Sequence, residues 1–149
     1  MKIVLAIDGS TCSERAVDEV ARRPWPADSQ VRIITVLEQH APLTSELWIP
    51  PAEYLKEVET AERAQAEKTL LEAAAKLREG KGGSVLDIST EALTGSPRRI
   101  IVEEAEKWGA DLIVVGSHGY RSWERMLLGS VSQTIAMHAE CSVEIVRKR

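Results

Sequence analysis

The chain has 149 residues, 44% of them hydrophobic and 28% charged, with a formal net charge of −4. That length suits a single domain spanning 1–149 with a proper core, and the composition is that of an ordinary globular protein. The negative balance argues against a general nucleic-acid binder, which concentrates basic residues on one face, and the tail Arg147-Lys148-Arg149 is too short to change that.

Met1-Lys2 leads directly into Ile3-Val4-Leu5-Ala6-Ile7, a run too short for an export signal or a membrane span, so a cytoplasmic protein with no membrane partner is expected. The same continuous apolar run reads as a strand covered on both faces. Asp8-Gly9-Ser10 is a turn, and Thr11 with Glu14 fits a capping box opening a helix. Ala16, Val17, Val20 and Ala21 share one face of that helix, which must stop before Pro24. Val31 to Leu37 is the second strand. Residues 40–52 carry Pro42, Pro50 and Pro51 around Leu47-Trp48-Ile49, either a functional loop or a segment folded back on the core.

A long helix is expected over Glu53 to Glu79, with Leu55, Val58, Leu70, Ala74 and Leu77 at helical spacing and Gly80 closing it. Lys81-Gly82-Gly83 is a joint. Val85 to Ile88 begins a third strand running toward Leu93. Ser96 caps the next helix, with Pro97 in its first turn and Ile100, Ile101, Ala105 and Trp108 on its buried stripe. Leu112 to Val115 is strand four, Ser130 to His138 the last helix, and Val143 to Val146 the last strand. This alternation predicts an α/β fold: one open parallel sheet with helices on both faces. Ligands of such sheets bind outside the carboxyl ends of the strands, where the strand order reverses, and Asp8 and Gly116 both lie at such ends.

One motif carries chemistry. Gly116-Ser117-His118-Gly119 follows strand four and, nine residues later, Gly129-Ser130 opens a helix. Glycine permits close backbone approach and a helix start offers free N–H groups, so the pattern is suited to phosphate. Cys12 and Cys141 have no metal or redox spacing and read as reduced thiols; His40, His118 and His138 have no metal spacing either.

The spacing G-x-x-G-x9-G-[ST], filled by Gly116, Gly119, Gly129 and Ser130, resembles the ATP-binding branch of the universal stress protein family. Lys2 to Ser10, Gly95-Ser96-Pro97 with Ile100 and Ile101, Ala110 to Gly116, and Cys141 to Val146 are similar to further segments of that family, in the same order. The resemblance implies a homodimeric Rossmann-like fold of the adenine-nucleotide alpha-hydrolase type, with five parallel strands in the order 3-2-1-4-5. It implies ATP as ligand, with Mg²⁺ held mainly through the phosphates. By that similarity Asp8 contacts the adenosine part, the backbone of Val36 pairs with adenine, and Ala6 and Ile7 line the base pocket. Gly116 and Gly119 wrap the ribose–phosphate side, while Gly129, Ser130, Val131 and Ser132 hold phosphates through amides and hydroxyls. Tyr120, Ser122 and Trp123 stand where many members have small or polar residues, and Ser142 where many have proline.

Several residues have a second reading. Ser130 with Gln133 also fits a capping box, and Asp8 also fits a turn or helix cap. His118 is either an exposed loop residue or a phosphate contact. Arg121, ahead of Arg125, is a candidate to neutralise phosphate. No Walker-type lysine and no acid–base set can be assembled. The expected function is therefore an ATP-binding, nucleotide-dependent regulatory module of the stress response, with an unidentified protein partner and little hydrolysis. The alternatives are a slow Mg²⁺-dependent ATPase and a dimeric interaction module without nucleotide. Dimerisation is expected through the last strand, an edge that needs covering.

Overall fold

The computed structural model describes residues 1–38, 51–80, 86–119 and 128–147. Five strands, β1 (Lys2–Ala6), β2 (Ser29–Leu37), β3 (Leu86–Thr94), β4 (Leu112–Gly116) and β5 (Ser142–Val146), form one parallel sheet in the order 3-2-1-4-5. Among the described residues, four helices connect them: α1 (Thr11–Arg22), α2 (Ala52–Glu79), α3 (Pro97–Trp108) and α4 (Ser130–His138). The expected fold and strand order are therefore found.

The apolar run of the first strand is central because both of its faces are covered. Leu5 pairs with Ile33 on one side and Val114 on the other, and all three are at most 1% exposed. Alternate side chains feed two cores. Ile3, Leu5 and Ile7 pack with Val17 and Val20 of α1 and Leu70, Ala74 and Leu77 of α2. Val4 and Ala6 pack with Ile101 and Ala105 of α3 and Ile135 of α4. The strand order turns back between β1 and β4, which opens a crevice at their carboxyl ends.

Local details depart from expectation. Ser10, not Thr11, caps α1: its hydroxyl accepts the N–H of Ser13 at 3.3 Å, leaving Thr11 inside the first turn. Leu55 and Val58, which share helical spacing with Leu70, Ala74 and Leu77, are exposed, and burial on α2 starts at Ala66. Gly80 does end α2, but at φ −69° rather than in the left-handed region. It is needed for space, since a Cβ there would lie 2.3 Å from the Ala21 carbonyl oxygen. Trp108 is only partly buried and carries the Arg32 guanidinium 4.6 Å from its ring centroid. The loop 40–52 up to Pro50, the joint at 81–83 and the tail beyond Arg147 lie outside the described residues.

Candidate functional site

The crevice is a cleft of about 1300 Å³ at the carboxyl ends of β1, β2 and β4. β1 stops at Ala6, and Ile7 continues its path through an N–H bond to the Ile34 carbonyl at 2.9 Å. The chain then turns at Asp8, whose carboxylate accepts the N–H of Ser10 at 2.9 Å. Ala6, Ile7 and Asp8 line the cleft beside Val36 of β2. From the other side come Gly116 and Gly119 after β4, and Gly129, Ser130, Val131 and Ser132 at the start of α4. The candidate residues thus meet around one space, except Arg121, which with Tyr120, Ser122, Trp123 and Arg125 lies outside the described residues.

The three motif glycines have separate reasons. Gly116 sits against the first turn of α1, where a Cβ would be 2.7 Å from the Cys12 carbonyl carbon and 2.8 Å from the Ser13 nitrogen. Its smallness lets α1 close onto the end of β4. Gly119 faces Asp8, and a Cβ there would stand 2.7 Å from Oδ2. Gly129 abuts the 117–118 backbone, 3.1 Å from the Ser117 carbonyl oxygen by the same measure.

Ser117, which sequence reasoning passed over, fastens these parts together while 2% exposed. Its N–H bonds the Val146 carbonyl at 2.8 Å, and its carbonyl accepts the Gly129 N–H at 2.8 Å and the Ser132 hydroxyl at 3.0 Å. Its own hydroxyl lies 3.0 Å from His118 Nδ1 and 3.7 Å from Cys12 Sγ. Only its position directly after a buried strand and between the first two glycines of the motif could have marked it.

These bonds decide which donors face a ligand. Gly129, not Ser130, is the cap of α4, without a side-chain cap bond, so the capping-box reading of Ser130 does not hold. The first helical bond runs from Gln133 N–H to the Gly129 carbonyl, 2.9 Å. The amides of Ser130, Val131 and Ser132 therefore have no helical acceptor. The Gly129 amide is already used, and the Ser132 hydroxyl is engaged by the Ser117 and Gly129 carbonyls. The exposed Ser130 side chain keeps its hydroxyl available.

Polarity is divided across the cleft. Asp8, Glu38, Glu62 and Gln65 occupy the β1–β2–α2 side, with Thr69 further along α2. The opposite side carries the free amides of α4, where the helix adds partial positive charge. Pro97 and Arg98 bring the start of α3 to the same space. The α2 wall and Arg98 were not foreseen, since nothing in their spacing signals a ligand. Such a cleft fits a molecule with a neutral hydrogen-bonding end and an anionic end. No group of three or more His, Cys, Asp or Glu side chains is arranged for a metal among the described residues. Both cysteines are free thiols, and burial first, then Asp111, holds the Cys141 thiol above its usual range.

Residues 1–147 match the family model described as the Universal stress protein family. A universal stress protein of Methanocaldococcus jannaschii is 35% identical over 147 residues, 99% of this chain and 82% of that protein. Universal stress protein UspA from Lactobacillus plantarum has the same fold, with TM-score 0.79 at 24% identity over 99% of this chain and 97% of that one. A universal stress protein solved in complex with cAMP is 28% identical, with TM-score 0.66 over 100% of this chain and 98% of that one. No helix among the described residues is long and apolar enough to cross a membrane.

Proposed function

The chain belongs to the universal stress protein family, and we propose that it is an ATP-binding regulatory module of the stress response that hydrolyses its ligand slowly or not at all. The observation that carries this reading is the start of α4: three unpaired amides and an available Ser130 hydroxyl open onto a cleft built by Asp8, Gly116 and Gly119. Phosphates suit that end, through direct N–H bonds and the helix dipole. The base suits the other end, where Val36, at the carboxyl end of β2, lines the cleft together with Ile7 and residues of α2. The cAMP complex of a related protein supports an adenine nucleotide. A triphosphate would bring Mg²⁺ held on its own oxygens and water.

Regulation would follow if bound and free forms differ in affinity for a protein partner. The loop that faces the ligand is bonded to the end of β5 through Ser117 and Val146, so the cleft and the sheet edge are one connected unit. β5 is an edge strand with Val143 and Ile145 half-buried, and a second copy of the chain covering it would form the dimer.

The test is to purify the protein without added nucleotide, denature it, and separate the released small molecules by ion exchange. A stoichiometric ATP peak is expected. Mostly ADP would favour the slow ATPase over a module that leaves its ligand intact, and an empty protein that also ignores added ATP would overturn the nucleotide reading.

A further inference from the structure

We infer that His118 donates a hydrogen bond from Nε2 to a phosphate oxygen of the bound ligand, with Ser117 positioning its ring. The inference rests on the nucleotide reading above. It names the side chain that separates a phosphorylated ligand from its bare nucleoside.

The residue is first of all held in place. Its carbonyl accepts the Ser10 hydroxyl at 3.2 Å, and its Nδ1 lies 3.0 Å from the Ser117 hydroxyl. Ser117 is itself fixed by main-chain bonds to Val146 and Gly129, so it holds the ring to a rigid frame.

The second observation concerns the free end of the ring. Nε2 is enclosed and has no hydrogen-bond partner, alone in this among the buried side-chain nitrogen and oxygen atoms of the described residues. Folded proteins rarely leave such an atom unmet unless a ligand or water completes it. The residue lines the ligand cleft, and its Cα lies 3.3 Å from the point where a Cβ on Gly129 would stand. His118 is therefore packed against the start of α4, where the unpaired amides are.

The chemistry follows from the other nitrogen. The single proton of the Ser117 hydroxyl can go to Cys12 Sγ at 3.7 Å or to Nδ1 at 3.0 Å; on the shorter contact Nδ1 accepts, and the neutral ring then carries its proton on Nε2, which becomes a donor. A charged ring donates from the same atom. An anionic oxygen is the strongest acceptor for such a donor, and a phosphate group supplies it beside the α4 amides.

Calorimetric titration of the whole chain, freed of endogenous nucleotide, with ATP–Mg²⁺ and with adenosine tests this. His118→Ala is expected to weaken ATP binding about tenfold, the range of one hydrogen bond to a charged group, with adenosine affinity kept within about twofold. His118→Gln, whose amide N–H reaches a similar point, is expected to restore most of the ATP affinity. Retained adenosine binding shows that each variant is folded. Unchanged ATP binding in His118→Ala, equal losses for both ligands, or no recovery in His118→Gln would overturn the assignment. A wild-type chain that binds neither ligand would instead remove the nucleotide reading, and this inference with it.

Discussion

Two helices begin at the same cleft and are finished in opposite ways. α1 is closed off: Ser10 caps the Ser13 amide, Asp8 holds the Ser10 amide, and Gly116 lets the first turn pack against the end of β4. α4 is left open, with a glycine cap and no side-chain bond to its first-turn amides. A cap is worth about 1 kcal/mol, so leaving α4 uncapped forgoes stability that a ligand can restore. The start of α1 serves the fold and the start of α4 serves the ligand, although both open with a Gly-Ser pair.

The comparison can be broken most forcefully at Gly116. A valine there meets α1 backbone, so stability in urea should fall by about 3 kcal/mol, the upper range for overpacking. Unchanged stability would mean that α1 does not close on β4. Ser130→Glu should do the reverse. A carboxylate among the α4 amides competes with phosphate, and ATP retention in the purified protein should be lost while the urea midpoint moves little. A large stability loss in Ser130→Glu would show that α4 is as structural as α1.

Smaller effects sharpen the contrast. Ser10→Ala should cost about 1 kcal/mol in stability and, because the same hydroxyl also holds the His118 carbonyl, reduce nucleotide content far less than Ser130→Glu does. The smallest effect belongs to the far end of α1. Hydrogen bonds from Arg22 and then Arg23 hold the Glu19 carboxyl below its ordinary value near 4.5. Since the folded-state pKa is the lower one, this stabilisation is complete above the ordinary carboxylate range and is lost as pH falls through the folded value. Thermal melts should therefore show a slightly shallower acid decline for Glu19→Gln than for wild type. The same Arg23 donates to both oxygens of Glu144 on β5 at 2.7 Å, so Arg23→Ala should loosen the β5 edge as well.

Much of this was legible in the sequence because it depends on periodicity and local chemistry. Continuous apolar runs identified buried strands, Pro97 and Pro24 bounded helices, and the family resemblance that the glycine spacing carries implied a site of Asp8, Val36 and Gly129–Ser132, which line one cleft. The capping box at Thr11 failed because Ser10, one residue earlier, has the extended backbone that a cap needs. Leu55 and Val58 kept helical spacing but not burial, since spacing specifies a face and not whether anything packs against it.

By itself the sequence determined the fold class, the strand order that its resemblance implied, and the neighbourhood of the site. Those rest on patterns a few residues long, repeated in order. Only the tertiary structure decided which atoms remain available there. It spent the Gly129 amide and the Ser132 hydroxyl on Ser117, assigned Gly116 to α1, and left His118 Nε2 without a partner. Hydrogen bonds between residues far apart in the chain carry no periodic signal, so their outcome appears only once the sheet has brought both ends together.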